Sequence, residues 1–292
     1  SISQTLVAAA LVVTEGELDG ELCEQIWQGR RRPRGNLFPQ SLIAHAGFKQ
    51  AGQFKYGRVV RIAVNPSIQQ QGIGSLLLEK IEQELSSKQY DFICTSFGYW
   101  QKLVGFWHNN EFEPVRLGIK AEASTAEHSI FMCKPLSTEM TDACVKSERA
   151  NALHEAMSQR FWATLDAENH MNFPAAQQFV LDSKVGHLPK VASGLIEASD
   201  FRKQPFSQHD KDDLVAFSQH HRGLHSSMLA MLKFLQNYPS RLTMLQGSDL
   251  KLLEDTLSAK SNALVIKSFR LSGEKQFIYK LRDIWRQVLD CN

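Results

Sequence analysis

The segment Arg61-Ile-Ala-Val-Asn-Pro-Ser-Ile-Gln-Gln-Gln-Gly-Ile-Gly-Ser75 constrains this chain more than any other. Residues 56–64 are apolar and β-branched enough for a strand, and Asn65-Pro66 stops it, because proline cannot continue an interior ladder. Over residues 72–87 the apolar positions Ile73, Leu77, Ile81 and Leu85 recur every four residues, which predicts a helix. Gly72 and Gly74 stand where that helix opens. Glycine lets backbone approach an anion closely, and the N–H groups of a first helical turn have no intrahelical acceptor. The helix dipole adds to the attraction, so strand, short loop and glycine-opened helix predict a pyrophosphate cradle. A dinucleotide fingerprint would need a third glycine and an acid about 20 residues on. A P-loop would need Gly-Lys-Ser/Thr, and neither pattern is present. Taken alone, a Gly-x-Gly is also what a helix uses to pack closely on a neighbour.

The surroundings give the motif a context. Residues 6–13 read as a buried strand, 18–29 as a helix, 30–35 as an Arg-rich loop and 37–46 as a second short helix. Residues 91–96 read as a strand, 101–109 as an aromatic-rich helix, and 111–118 with 129–134 as a strand pair. This is an α/β unit with a partly parallel sheet. After Pro135 the texture changes: 139–165, 175–185, 207–236 and 249–260 look helical, and 262–281 hints at strands around a turn at Ser272-Gly273. A boundary at 135–140 separates an expected domain 1–136 from an expected domain 137–292.

Charge sharpens the question of partners. The 292 residues carry 33 Lys+Arg against 31 Asp+Glu, a formal +2. Residues 25–78, however, contain eight basic residues and no acid, with Arg30, Arg31, Arg32 and Arg34 clustered. Such a patch attracts phosphates, or simply solvates a surface. Five scattered cysteines without a Cys-x-x-Cys pair argue against a disulfide framework or zinc site and fit a reducing cytoplasm. His220, His221 and His225 lack the acidic neighbour a helical metal site would use, so no metal is expected. No apolar run reaches the length of a membrane helix, and no membrane partner is expected.

The pattern Gln69-x-x-Gly72-x-Gly74, after a strand ending Ile-Ala-Val-x-Pro, resembles the acetyl-CoA signature of the GCN5-related N-acetyltransferases. Glu111-Phe112-Glu113-Pro114 after the aromatic helix agrees with it. The resemblance implies an α/β fold: the mixed sheet of that family, N-terminally incomplete, followed by a mainly helical second domain. Gly29-Arg-Arg-Arg-Pro-Arg-Gly-Asn-Leu, Ser41-Leu-Ile-Ala-His-Ala-Gly, Thr95-Ser-Phe-Gly-Tyr and Phe106-Trp107 together resemble the tRNA(Met) cytidine acetyltransferase family, which N4-acetylates a wobble cytidine. Phe217-Ser-Gln-His-His-Arg-Gly-Leu and Leu271-Ser-Gly-Glu-Lys resemble segments of that family's C-terminal RNA-binding region.

The resemblance implies acetyl-CoA as cofactor and tRNA as partner. The backbone of Ile62, Ala63 and Val64 would hold pantetheine and acetyl group. Gln69, Gln70, Gln71, Gly72, Ile73, Gly74 and Ser75 would hold the pyrophosphate. Lys102 and Asn109 stand where the family pattern has an acid and an arginine beside the cofactor, and Asn65 where it tends to have histidine. Family members also carry an ATPase part that uses ATP or GTP, for which this chain has no P-loop. A fragment of a longer enzyme is therefore expected.

Acetyl transfer needs a polarised carbonyl, a neutral amine and a protonated leaving thiolate. The strand end at Val64 offers a backbone N–H to developing charge, and Tyr99, with Ser96 behind it, is the candidate proton donor. Cytidine's exocyclic amine is a poor nucleophile, so positioning must supply much of the rate. Arg30, Arg31, Arg32 and Arg34 are expected on RNA phosphates. Trp27, Phe38, Tyr99, Trp100 and Trp107 are candidates for stacking a base. Arg270, Lys275, Lys280, Arg282 and Arg286 are expected on a second RNA surface. Two alternatives stay open: an acetyltransferase acting on protein or small-molecule amines, and a non-catalytic RNA-binding module that keeps the fold.

Overall fold

The apolar and β-branched run near the N-terminus forms β1 (Ala8–Gly16), and Asp19 then caps α1 (Gly20–Trp27) by accepting from the Leu22 N–H. After the Arg-rich loop come α2 (Leu37–Ser41) and a π-helical turn (Leu42–Ala46). β2 (Lys55–Val64), α3 (Ile73–Ser87), β3 (Phe92–Gly98), α4 (Gln101–Asn109), β4 (Glu113–Ala121) and β5 (His128–Pro135) follow. This computed structural model describes residues 6–121, 128–136, 141–171, 173–184, 200–245, 247–258 and 261–290. The strands make one mixed sheet in the order β1-β2-β3-β5-β4, in which only β2 and β3 are parallel.

Strand alternation gives the sheet two apolar faces. Val59, Ile93 and Ile130 pack on one face with Leu78 and Leu85 of α3 and Val104 and Trp107 of α4. Tyr56, Phe92, Cys94 and Phe131 pack on the other with Phe38 and Leu42. The long helix α5 (Thr141–His170) runs past the edge strand β4 and reaches both cores. Its Leu153 and Met157 lie in the second core, its Phe161, Trp162 and Leu165 in the first. Ala176 and Phe179 of α6 (Pro174–Lys184) extend the first core further.

The remaining helices, α7 (Gln208–Gln219), α8 (Met228–Asn237), α9 (Gly247–Leu257), α10 (Asn262–Ser268) and α11 (Glu274–Asp290), build a separate core around Phe217, Met231, Phe234, Leu252 and Trp285. Here the strands expected over 262–281 are overturned. Ser261 caps α10 by accepting from Leu264 N–H, and Phe277, Leu281, Ile284, Trp285 and Val288 form one buried stripe at helical spacing along α11. The Ser272-Gly273 turn joins two helices, and the β-branched pair Val265-Ile266 mimics a strand only locally.

A buried ionic network ties the two parts. Arg160 of α5 reaches Asp210 Oδ1 at 2.8 Å and Asp213 Oδ2 at 2.5 Å, and Lys233 reaches Asp210 Oδ2 at 2.7 Å. Arg222 pairs with Asp213 Oδ1 at 3.0 Å. It also donates to the carbonyls of Ile43 and Ala44, at 3.3 and 3.2 Å, in the π-helical turn. The His221 N–H donates to the Gln28 carbonyl at 2.8 Å. The stretch Phe217-Ser-Gln-His-His-Arg-Gly-Leu is thus a clamp onto α1 and the π turn.

Candidate functional site

β2 and β3 part company midway. Their parallel register runs from Tyr56↔Phe92 to Val59↔Thr95 and stops. β2 continues to Val64 against β1, β3 continues to Gly98 against β5, and a bulge at Val60 marks where the strands diverge. The Asn65 N–H donates to the Val7 carbonyl at 2.8 Å, in register with Ala8↔Val64. That phase gives Ala63 to the β1 ladder and turns the N–H and C=O of Ile62 and Val64 away from β1, into the gap. The Val64 carbonyl is taken by the Gln69 side-chain amide at 3.1 Å, which folds the loop back onto the strand end.

The loop that follows is exposed from Gln69 through Gly72. Asn65 accepts from the Ser67 N–H and starts a short 3-10 turn, Pro66–Ile68. Gly72 sits at φ +80 as the N-cap of α3, and that helix has no side-chain cap. A Cβ at Gly72 would meet nothing within 4 Å, so the glycine is there for its left-handed backbone and its open approach. The first-turn amides of Ile73, Gly74 and Ser75 have no intrahelical acceptor. At Gly74 a Cβ would stand 3.2 Å from Phe106, which sets α4 against the mouth of α3. Lys102 and Asn109 share the Phe106 face of α4 by their spacing, and both are exposed. The Lys102 ammonium rests 5.9 Å from the Trp100 ring centre. Uncapped amides beside a gap lined by backbone donors suit a diphosphate continued by an amide-bearing chain, so the residues present fit acetyl-CoA.

Tyr99 and Ser96 lie on opposite sides of the sheet. Tyr99 packs on Phe179 with ring centres 5.4 Å apart, and its hydroxyl donates to Asp182 Oδ2 at 2.6 Å. Asp182 is buried and also accepts from the Gln178 amide at 2.9 Å. Burial, then the bond to Asp182, push the Tyr99 phenol far above its ordinary value, so it stays protonated with that proton engaged. Asp182 had no signal in the sequence. Ser96 is half-buried and, among the described residues, makes no side-chain hydrogen bond.

The four clustered arginines are all exposed. Arg30 approaches His220 Nδ1 at 3.4 Å, while Arg32 lies within electrostatic reach of His45, Arg116 and Arg222. Trp27, Phe38 and Trp107 are buried core residues, which leaves Trp100, 55% exposed, as the open aromatic of the stacking candidates. Of the expected second basic surface, Arg286 donates to the Ser218 carbonyl and Arg282 to the Arg222 carbonyl, so both help hold the clamp. Among the described residues no cluster of three metal-ligating side chains occurs, and His225 bonds Glu168 at 2.8 Å.

Comparisons with known proteins agree with this geometry. Residues 2–88 and 77–137 match the family model described as GNAT acetyltransferase 2. The chain is similar to the tRNA(Met) cytidine acetyltransferase TmcA of Photorhabdus asymbiotica, at 31% identity over 98% of this chain and 36% of that protein. It is similar to that of Salmonella typhimurium, at 32% identity over 93% of this chain and 35% of that protein. With that of Nitrosococcus halophilus it shares 40% identity over 51% of this chain and 20% of that protein. The chain thus spans about a third of the curated relatives it matches along its whole extent. Among the described residues no helix is long and apolar enough to cross a membrane.

Proposed function

Residues 2–137 belong to the GNAT acetyltransferase 2 family, and from that premise we propose that this chain acetylates the N4 amine of the wobble cytidine in tRNA(Met). The observation that carries the reading is the β2–β3 gap, with Ile62 and Val64 turned into it and the uncapped α3 N-terminus at its end. The similarity to tRNA(Met) cytidine acetyltransferases over nearly all of the chain supports the acceptor. Acetyl-CoA, when bound, supplies the acetyl group as an activated thioester. The amides of Ile73, Gly74 and Ser75 hold diphosphate charge, and the backbone of Ile62 and Val64 orients the chain that carries the acetyl group. The Val64 N–H is the donor aimed at developing negative charge. Tyr99 at the end of β3 is the proposed proton donor, with Ser96 facing the acceptor side. To protonate the leaving thiolate, the Tyr99 hydroxyl must exchange its bond to Asp182 for the sulfur. Residues 1–136 are the acetyltransferase unit and 137–292 the helical RNA-facing unit, and buried free thiols at Cys23, Cys94 and Cys133 fit a cytoplasmic setting.

The test is incubation with labelled acetyl-CoA and tRNA(Met), followed by digestion to nucleosides. N4-acetylcytidine should appear, and should vanish when the wobble cytidine is replaced by uridine. Label on peptide or polyamine amines and none on RNA overturns the reading. Tyr99→Phe should lower kcat at nearly constant KM; unchanged kcat in a folded variant removes Tyr99 from the chemistry.

A further inference from the structure

A cleft of about 860 Å³ opens where the edge of the sheet meets α11 and the turn before α8. His45, Arg116, Ser129, Arg222 and Arg282 line it. Arg222 at its back is charge-paired with Asp213 and donates to backbone carbonyls, its Nε alone lacking a partner among the described residues. Among the described residues, Arg116 and Arg282 have no carboxylate within ion-pair distance, and Arg282 donates only to the Arg222 carbonyl, at 3.3 Å. Arg116 rests on the Phe131 ring at 4.9 Å, and the Nε of Arg282 is buried without a partner. The acids nearby are Glu274 on the lining and Glu168, which His225 engages. The contrast with Arg160 and Lys233 is instructive, because there the fold supplies Asp210 and Asp213 to Arg160 and Asp210 to Lys233. A desolvated guanidinium without a carboxylate is an invitation to an external anion.

Electrostatics agree with the geometry. Desolvation in the cleft, then the charges of Arg116, Arg32 and Arg222, press the His45 imidazole well below its ordinary value, so it is neutral at physiological pH. Burial lowers Arg116 to about 10, which leaves it charged there.

Register places the cleft relative to the chemistry. Ser96 pairs with Phe131, and Phe131 pairs with Arg116, so the three side chains form one row on one face of the sheet. Gly98 pairs with Ser129 in the next row on that face. Arg116 therefore stands two strand spacings, about 10 Å, from Ser96 at the mouth of the gap. The cradle is carried by α3 and α4 on the opposite face. Cofactor and cleft thus approach the gap from opposite sides. A small amine entering from this side is cationic and has no negative charge to offer two guanidiniums, whereas a nucleotide in a strand brings a phosphodiester on each side of its nucleoside.

We propose that the junction cleft seats a backbone phosphate of the RNA strand on Arg116 and Arg282, beside the nucleoside presented to the gap. The proposal rests on the RNA-acetyltransferase reading and adds the place where the acceptor strand is gripped. Arg32, within electrostatic reach of Arg116, would extend the grip outward and give one of the four clustered arginines a part in it.

The test uses the whole chain and a fluorescent RNA anticodon stem-loop, with affinity followed by anisotropy between 50 and 300 mM salt, values set by roughly the range in which phosphate contacts dominate. Arg116→Gln and Arg282→Gln should each weaken binding about tenfold and make the log–log salt slope shallower by roughly 0.7–0.9. Arg116→Lys should keep the slope and lose part of the affinity, because a point charge replaces a fork. The melting shift produced by acetyl-CoA should be unchanged in all three. If Arg116→Gln fails to fold, Arg282→Gln and Arg116→Lys carry the measurement. Wild-type affinity and slope in the folded variants overturn the proposal. So does loss of stabilisation by inorganic phosphate or CoA with RNA binding intact, which would make this a small-anion site. An acidic peptide that binds in place of RNA overturns it as well. If the slope falls as expected but acetyl-CoA never shifts the melting temperature of the wild type, the cleft stands and the acetyl-transfer reading fails.

Discussion

Gly72 and Gly29 hold nearly the same backbone, φ +80 and φ +74, for opposite reasons. Around Gly72 there is open space, and the free amides behind it face outward. At Gly29 a Cβ would stand 2.6 Å from the His221 carbonyl oxygen, so the left-handed turn exists to let the chain meet itself. One region is built to receive a ligand and the other to receive the clamp from the helical part. A similar division runs through the cations: Arg160, Arg222 and Lys233 are matched by carboxylates, whereas among the described residues Arg116 and Arg282 are not.

The clamp should therefore answer to stability and the loop to binding. The largest effect is expected from Arg222→Met, which leaves Asp213 Oδ1 and the Ile43 and Ala44 carbonyls without their cation. It should cost about 3–5 kcal/mol in chemical denaturation. A loss under 1 kcal/mol would mean the clamp is not held by this pair. Gly29→Ala should cost about 2–3 kcal/mol, because left-handed strain adds to a backbone clash that no side-chain rotation relieves. If it instead weakened only ligand affinity, the contrast between the glycines would break.

Acid should attack the clamp next. Burial, then the Arg160 charge, lower the His209 imidazole to about 4, below its unfolded value of 6.5. Burial alone would raise Asp210, but Arg160 and Lys233 outweigh it and hold the carboxyl well below the usual carboxylate range. Both groups bind fewer protons folded than unfolded. Stability is thus full above about pH 6.5, falls first through His209 toward pH 4, and then through Asp210 below that. Each contributes at most about 1.4 kcal/mol per pH unit in its window. A denaturation midpoint that stays flat from pH 6.5 to 4 would contradict this. The smallest stability effect is expected at Gly72→Ala, about 1 kcal/mol of backbone strain with no clash. Calorimetry should show acetyl-CoA binding several-fold weaker there, and unchanged affinity would take the loop out of the binding site.

What could be read from the residues in order was what depends on neighbours in order. The strand ending at Val64, the Asn-Pro stop and the glycine-opened helix are local signals, and all three stand in the structure. What escaped depends on residues far apart. Tyr99 finds Asp182 across 83 positions, and Arg222 finds Ile43 across 179. Trp27 and Trp107 carry amphipathic rings that suit a base or a core equally, and only packing assigned them to the core. Over 262–281 a β-branched pair and a glycine turn looked extended, while the stripe that fixes α11 as a helix runs on to Val288, beyond the window that suggested strands.

The path of α5 has a consequence for how this protein unfolds. One helix contributes to the cores on both faces of the sheet and covers its β4 edge, and through Arg160 it also holds the ionic centre of the clamp. Cutting the chain between Pro135 and Thr141 would bare the β4 edge and open both cores at once. The sheet and the helices that follow it should melt as one cooperative unit, with a single transition in calorimetry and no stable half on either side.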